Sequence, residues 1–209
     1  MRIGFVGLGL MGLPIARRLL KAGHKLHIFS ENTKSTEALT GLGAISEKAV
    51  LEVAGKVEVF CSCRVTPEQS RDVFTGGGGV FSAVTRPEIC IDFATIDPMT
   101  SREIGMEMAK VGIDYLDAPI SGGPDGAAAG TLSIIVGGKK GAVKKVTPIF
   151  ETFGNQIFHM GEVGSGVTTK LCNNMISITT HALVAEAMVL GVKSGVSAHA
   201  LYEVLANST

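Results

Sequence analysis

Short, β-branched apolar runs alternate with longer amphipathic stretches over about three quarters of the chain, and this alternation constrains the fold most strongly. Repeated strand and helix units of this kind predict a mostly parallel sheet that is covered by helices. The runs that we interpret as strands are RIGFV (2–6), KLHIF (25–29), VEVFC (57–61), EICIDF (88–93), DYLDA (114–118), LSIIVG (132–137) and QIFHM (156–160). The clearest helical stretches are 11–22, 67–74, 97–110 and 139–153. The sequence therefore predicts an α/β fold with a doubly wound sheet.

The alternation stops near residue 164, and only helical patterns follow. Residues 165–194 predict one unusually long helix, and 196–206 predict another. We therefore expect a sheet domain over 1–163 and the beginning of an all-helical domain over 164–209. Two helices cannot enclose a core of their own, so a partner subunit or further chain must cover their apolar stripe. This predicts a homodimer or a larger homo-oligomer.

The first predicted strand runs directly into a glycine-rich turn that consists of Gly7, Leu8, Gly9, Leu10, Met11 and Gly12. A GxGxxG pattern alone is weak evidence, but here a strand precedes it and a helix follows at once, as a dinucleotide-binding turn requires. Gly7 permits the tight turn, Gly9 lets the backbone approach a pyrophosphate, and Gly12 allows close packing of helix on strand. N–H groups at the helix N-terminus would bind the anion. The pattern predicts a Rossmann-type dinucleotide site.

An acidic residue, Glu31, lies at the end of the second predicted strand. Its carboxylate, or the neighbouring Ser30, would accept hydrogen bonds from the ribose hydroxyls of the cofactor, and a carboxylate there repels the additional phosphate of NADP. We therefore predict NAD as the preferred cofactor, with NADP possible. The alternative is that Glu31 faces solvent, because the ends of predicted strands shift by a few residues.

Composition excludes several classes of partner. Lys plus Arg and Asp plus Glu number 19 each, so there is no basic surface to hold a nucleic acid. The four cysteines lie in or beside apolar runs without the spacing of zinc or redox motifs, which predicts reduced core thiols and no metal site. The N-terminus lacks the features of a signal peptide, and no apolar run reaches the roughly 18 residues of a membrane span. We expect a cytoplasmic protein that binds neither nucleic acid nor membrane.

A second polar cluster lies at the beginning of the long predicted helix. Lys170, Asn174, Ser177 and His181 recur at helical spacing and form one polar stripe on an otherwise apolar helix. An amine near a nicotinamide is a chemically sensible general base for an alcohol that loses hydride, and its pKa falls when it is buried. The alternative is a surface lysine whose amine extends into solvent.

Several segments together resemble the beta-hydroxyacid dehydrogenase family, which includes 3-hydroxyisobutyrate dehydrogenase and tartronate semialdehyde reductase and is related to 6-phosphogluconate dehydrogenase. The segments are GLGLMGLPIARRLLKAGH (7–24), DFATIDP (92–98), DAPISGG (117–123), GTLSIIVGG (130–138) and GEVGSGVTTKLCNN (161–174). They extend along the whole chain, and in combination they are highly specific for the family. The resemblance therefore implies a Rossmann domain followed by a helical domain.

The resemblance also implies roles for individual residues. Lys170 matches the family's catalytic lysine, and Asn174 matches an asparagine that helps to bind substrate. Ser121, Gly122 and Gly123 match the loop that holds the substrate carboxylate, in agreement with the anion-binding capacity of consecutive backbone N–H groups. Thr95 matches a threonine near the nicotinamide end of the cofactor.

The sequence departs from the family pattern in two places. Cys63, Arg64 and Val65 stand where the family usually has Met-Leu-Pro, so this contact with the cofactor is altered. Arg64 is expected either to reach an acidic substrate or to face solvent. The second departure is length, since the family continues through a helical domain that contributes a further lysine, whereas this sequence ends at Thr209. We interpret it as truncated or as a natural fragment, which could bind cofactor and lack full activity.

These observations favour an enzyme that transfers a hydride between NAD(H) and a small 3-hydroxy acid or its semialdehyde, with Lys170 as general acid and base. The expected substrate is a small carboxylate. Two alternatives stay open, a non-catalytic dinucleotide-binding module and a relative of the imine reductases. Lys170 argues against the non-catalytic module, whereas the missing C-terminal part argues for it. Imine reductases typically carry another residue type at the position of Lys170.

Overall fold

The computed structural model describes residues 1–208, and its elements follow the predicted alternation. The strands are β1 (Arg2–Val6), β2 (Lys25–Phe29), β3 (Ile45–Ser46), β4 (Val59–Ser62), β5 (Ile89–Asp92), β6 (Asp114–Asp117), β7 (Ile120–Ser121), β8 (Leu132–Gly137) and β9 (Gly154–Gly161). The helices are α1 (Gly12–Lys21), α2 (Thr33–Thr40), α3 (Val50–Ala54), α4 (Pro67–Phe74), α5 (Pro98–Lys110), α6 (Gly123–Ala129), α7 (Lys140–Phe150), α8 (Ser165–Lys193) and α9 (Ala198–Ser208). Every predicted strand and helix is therefore present, with shifted ends.

The sheet has the order β3-β2-β1-β4-β5-β6 in its first part, and all neighbours there are parallel. From β1 the chain first builds outward to β2 and β3, and then returns to add β4 on the other side of β1. The carboxyl ends of β1 and β4 consequently flank a crevice, which is where ligands bind in sheets of this kind. The predicted Rossmann-type, mostly parallel sheet is confirmed.

An antiparallel extension follows the parallel strands. β8 pairs with β6 at Asp117 and Gly137, and with β7 at Ile120 and Ile134, in the same register. Because β6 and β7 follow one another along the edge of β8, the chain after β6 continues beyond the carboxyl edge of the parallel sheet. The extension places the segment that begins at Ser121 above that edge.

Helices cover both faces of the sheet, and each face has its own hydrophobic core. Ile3 and Phe5 of β1 belong to one core, in which Leu19 of α1 is also fully buried. Val6 belongs to the other, together with Phe60 and Phe74. Burial on both faces explains why the predicted strands are continuous apolar runs rather than alternating ones.

The chain divides into two compact units, Met1–Lys170 and Leu171–Thr209. In the second unit many large apolar side chains are exposed, among them Met175, Ile178, Leu183, Val189 and Leu190. Cys172 is exposed as well, so its prediction as a core thiol is wrong, whereas Cys61 and Cys90 are buried as expected. The predicted need for a covering surface stays a prediction.

Helix α8 corrects one further expectation. By length and composition it is apolar enough to cross a membrane, with a mean hydropathy of 1.6 over its most apolar window. The expectation that no segment reaches this length was wrong, because scattered Thr, Ser and Asn residues interrupt the run without lowering its average. Length and composition alone are weak evidence for a membrane span, so the predicted absence of a membrane partner remains a prediction.

Candidate functional site

The glycine-rich turn adopts the geometry that a dinucleotide site requires. Gly7 has φ +92°, and a Cβ there would collide with the Cys63 carbonyl, while a Cβ at Gly12 would collide with the Gly7 carbonyl. Gly9 differs, because its added Cβ would meet no atom within 4 Å. Gly7 and Gly12 are therefore required by packing, whereas Gly9 leaves open space beside an exposed backbone. That space fits a pyrophosphate at the N-terminus of α1.

A groove extends from this turn along the carboxyl ends of β1, β2 and β4. One cavity of about 380 Å³ is lined by Gly7, Leu8, Gly9, Ser30, Glu31, Asn32, Cys63, Arg64, Val65 and Gln69. A second cavity of about 380 Å³ shares Glu31, Arg64 and Gln69 with the first and adds residues of α3, α4 and the glycine run that starts at Gly76. Most of the residues predicted to bind cofactor thus line one continuous groove at the crevice of the sheet.

An ion pair lies in this groove. Arg64 Nη1 is 3.5 Å from Glu31 Oε2, and the Arg64 side chain is only 16% exposed, against 78% for Glu31. Within residues 1–208, the buried Arg64 Nε has no hydrogen-bond partner. The alternative of a solvent-facing arginine is therefore wrong for Arg64, which lines the groove, whereas the Glu31 side chain is largely exposed, as the solvent-facing alternative for Glu31 expected.

Other predicted cofactor residues surround the turn in different environments. Leu10 is 83% exposed and Val65 79% exposed, whereas Met11 packs against the core. Burial raises the pKa of the Cys63 thiol to about 12, which favours the neutral thiol. Thr95 is half-buried in the loop between β5 and α5.

Sequence reasoning missed several residues that line the groove. Asn32 accepts a hydrogen bond from the Ser35 N–H and thereby caps α2 beside Glu31. Gln69 forms a capping box with Thr66 at the start of α4. The TxxQ pattern is a known helix-start signal and would have placed Gln69 at the mouth of the groove. The glycine run carried no comparable signal.

The predicted carboxylate-binding loop lies where the antiparallel extension ends. Ser121 is half-buried and pairs with Ser133 of β8, while Gly122 and Gly123 are exposed. Their φ angles, +126° and +67°, lie in the region that favours glycine. The loop therefore presents backbone and one hydroxyl to solvent beyond the carboxyl edge of the sheet.

Lys170 lies near the beginning of α8 and is buried, with 8% of its surface exposed. Burial lowers the pKa of its amine below the ordinary value. The surface-lysine alternative is therefore wrong. Asn174 is half-buried one turn later, in the second unit, and Ser177 and His181 are exposed, with the His181 ring against the Ser177 carbonyl.

The first turn of α8 is bound by a residue that the sequence analysis did not single out. Asp117, at the end of β6, is 1% exposed. Its Oδ1 accepts a hydrogen bond from the Gly164 N–H at 2.7 Å, and its Oδ2 accepts one from the Val167 N–H at 2.8 Å. The lysine helix is thus joined directly to the strand that leads to the Ser121 loop.

Two family models match the chain. Residues 2–161 match the NAD binding domain of 6-phosphogluconate dehydrogenase. Residues 164–209 match the family described as NAD-binding of NADP-dependent 3-hydroxyisobutyrate dehydrogenase. The two matches meet near the start of α8, and the first alone covers most of the chain.

Curated proteins and solved structures agree with these matches. The 3-hydroxyisobutyrate dehydrogenase of Pseudomonas aeruginosa is 39% identical over 207 residues, which are 99% of this chain and 70% of that protein. The NAD-dependent L-serine dehydrogenase of the same organism is 35% identical over 100% of this chain and 70% of its own length. The structure of Mycobacterium tuberculosis 3-hydroxyisobutyrate dehydrogenase with L-serine superposes with a TM-score of 0.91 at 34% identity, over 100% of this chain and 70% of that one.

Proposed function

The chain belongs to the beta-hydroxyacid dehydrogenase family, and on that premise we propose the reaction of this oxidoreductase. It transfers a hydride between NAD(H) and a small 3-hydroxy acid or the corresponding semialdehyde, with Lys170 as general acid and base. The observation that carries the proposal is the burial of Lys170 in a chain that also has a groove beside the glycine-rich turn.

Proton transfer is the part of the reaction that falls to Lys170. When a bound nicotinamide accepts the hydride, the substrate hydroxyl must lose its proton, and a neutral amine can accept it. Burial lowers the pKa of Lys170, which increases the fraction of neutral amine at a given pH. In the reverse direction the ammonium form donates the proton to the carbonyl oxygen of the semialdehyde.

The Ser121 loop supplies substrate binding. The exposed backbone of Gly122 and Gly123 and the Ser121 hydroxyl lie beyond the carboxyl edge of the sheet, on the continuation of the strand that ends at Asp117. Backbone N–H groups with positive-φ glycines form concave sites for anions. We assign the substrate carboxylate to this loop and further substrate contact to Asn174.

The alternative functions, a non-catalytic module and an imine reductase, differ from the dehydrogenase in whether they require a buried amine at Lys170. A dinucleotide-binding module without catalysis does not need a buried amine, and burying one costs stability because the charged form loses hydration. An imine reductase would reduce cyclic imines rather than oxidise hydroxy acids. We favour the dehydrogenase, as a cytoplasmic homo-oligomer.

The test is turnover in the full chain with 3-hydroxyisobutyrate and L-serine, the acids named in its relatives. Lys170→Ala should lower kcat by roughly 10² to 10⁴, the usual contribution of a general acid or base. Lys170→Arg should fail as well, because a guanidinium does not release its proton near neutral pH. NADH affinity, measured by fluorescence titration, should change little, since the cofactor rests on the Gly7–Gly12 turn.

Lys193→Ala is the matched control, because Lys193 lies on the same helix and is exposed. It should leave both turnover and NADH affinity unchanged. Near-normal turnover in either Lys170 variant would exclude Lys170 as the proton-transferring group. Tight NADH binding without turnover of any hydroxy acid by the wild-type protein would favour the non-catalytic alternative.

A further inference from the structure

Asp117 connects the first turn of the lysine helix to the sheet through both carboxylate oxygens. The two N–H groups that it binds belong to Gly164 and Val167, which flank the start of α8 at Ser165. A carboxylate that accepts hydrogen bonds from N–H groups at a helix N-terminus is stabilised by charge-assisted bonding and by the helix dipole. Lys170 follows Val167 by three residues and so lies about one turn further along the helix.

Glycines surround this contact and keep the helix close to the strands. A Cβ at Gly166 would lie 2.5 Å from the Ile135 carbonyl oxygen and 2.7 Å from the Asp117 carbonyl oxygen. A Cβ at Gly137, the strand partner of Asp117, would collide with the Asp117 carboxylate. Both β6 and β8 thus contact the first turn of α8 at distances that only glycine permits.

Electrostatics indicate that Asp117 does not act on the Lys170 amine as a counter-ion. Burial lowers the pKa of the Lys170 amine, whereas a nearby carboxylate would raise it. Burial also raises the pKa of Asp117, although its N–H partners oppose that change. Burial of a carboxylate costs free energy unless its oxygens are hydrogen-bonded. The role that we infer for Asp117 is therefore to fix the position of the backbone that it binds at the start of α8.

We propose that Asp117 is a positioning residue for Lys170, which fixes the first turn of α8 so that the amine is held at one buried position. The inference rests on the function proposed above for Lys170. Because the chain continues from β6 directly into β7 and the Ser121 loop, the segment 114–123 then determines the positions of both the general base and the carboxylate-binding loop. The loop itself is held by the pairing of β7 with β8, independently of the Asp117 carboxylate.

Asp92 provides a matched comparison. It is the register partner of Asp117 on β5, it is also 1% exposed, and it ends its strand in the same way. Its carboxylate accepts hydrogen bonds from the Ala94 N–H at 3.1 Å and from the Tyr115 hydroxyl at 3.3 Å. Its partners lie in the loop that follows β5 and on β6 rather than on α8, so Asp92→Asn reproduces the loss of a buried carboxylate without altering the helix contact.

The experiment compares Asp117→Asn with Asp92→Asn in the full chain. An asparagine offers one acceptor oxygen, and its NH₂ group would face a backbone N–H, so one of the two bonds to α8 becomes a repulsion. Asp117→Asn should lower kcat roughly 10- to 100-fold, as expected when a reacting group is displaced by about 1 Å. KM for the hydroxy acid and Kd for NADH should change by less than about threefold, because the loop and the glycine turn keep their own supports. Asp92→Asn should retain most of kcat.

Hydrogen exchange provides a second measurement that does not depend on activity. The amides of residues 164–170 should exchange faster in Asp117→Asn than in the wild type or in Asp92→Asn. Gly166→Ala, which displaces the same turn and keeps the carboxylate, should show the same loss of kcat if Asp117→Asn does not fold. Unchanged kcat and unchanged exchange in these variants, or an equal loss in Asp92→Asn, would overturn the proposal. Wild-type inactivity with every hydroxy acid would instead refute the proposed function, while the exchange comparison would still test the helix contact.

Discussion

The glycine turn of the dinucleotide half is one contiguous segment, Gly7–Gly12, whereas the lysine half joins Asp117, Gly137 and the segment 164–170 from three distant parts of the chain. The turn acts through backbone groups at the edge of an open groove. In the lysine half, the buried carboxylate of Asp117 binds the first turn of the helix that carries the buried Lys170. The conformation of the glycine turn thus depends on local backbone geometry, whereas the position of Lys170 depends on long-range packing.

This difference implies that the two halves can be damaged separately. Substitutions in the turn should weaken cofactor binding, and substitutions around Asp117 should lower turnover with the cofactor still bound. Within the turn, a second distinction separates glycines that packing requires from the one that faces open space. The largest effects on stability and cofactor affinity are expected from substitutions of these glycines.

Gly12→Ala and Gly9→Ala should differ in stability and agree in function. The Cβ of alanine at position 12 would collide with the Gly7 carbonyl, so unfolding should become easier by about 3 kcal/mol, at the upper end of overpacking costs. At position 9 the Cβ meets no protein atom within 4 Å, so thermal stability should stay near that of the wild type. NADH affinity should fall at least tenfold in both variants, as measured by fluorescence titration.

A Gly9→Ala protein that binds NADH normally would show that the cofactor does not approach this backbone. A Gly12→Ala protein with unchanged denaturant midpoint would show that helix α1 can shift to accept the methyl group. Gly141→Ala is the control for general effects of losing a glycine, because a Cβ at Gly141 also meets nothing within 4 Å, and Gly141 lies on α7, outside the groove.

The same difference explains what the sequence could reveal. The turn was predicted correctly because its strand, glycines and helix are adjacent in sequence, and each step has a local physical reason. Ser30 and Glu31 were predicted because a dinucleotide-binding turn is typically followed by an acidic residue at the end of the second strand, and Arg64 was predicted from the family resemblance. The ion pair between Glu31 and Arg64 was not predicted, since strand periodicity does not specify where a long side chain ends.

Asp117 was missed for a different reason. It is 47 residues away from Gly164 in sequence, and an acidic residue at a strand end has no pattern that indicates a helix cap on another element. The two-residue strands β3 and β7 were also missed, because two residues are too few to show a period. Lys170 was found through its polar stripe and the family resemblance, while its burial became evident only in the folded chain.

The lysine half should show its own pH dependence, the next largest effect. The proposed mechanism requires neutral Lys170 for oxidation of a hydroxy acid, so the rate should fall about tenfold per pH unit below the amine's pKa and reach a plateau above it. Because burial lowers that pKa, the plateau should begin below the pH expected for an exposed lysine. Reduction of the semialdehyde needs the ammonium form and should decline at high pH. If the oxidation rate of Lys170→Ala still falls in the same way at low pH, a group other than Lys170 causes that fall.

The smallest expected effect concerns cofactor choice in the dinucleotide half. Glu31 should make NADPH bind more weakly than NADH, because its carboxylate repels the additional phosphate. Arg64, 3.5 Å from Glu31 and largely buried, offsets part of this repulsion, so the preference should be only about tenfold, or roughly 1.4 kcal/mol. Glu31→Gln should bring the two affinities within about threefold of each other, and Arg64→Leu should widen the difference, since it removes the compensating charge.

Titration of both cofactors gives the ratio of the two affinities directly, and kcat at saturating NADH should stay constant, because neither residue lies in the lysine half. Tighter NADPH binding by the wild type would mean that Glu31 does not face the ribose, and a gain in NADPH affinity in Arg64→Leu would mean that Arg64 does not act at that position.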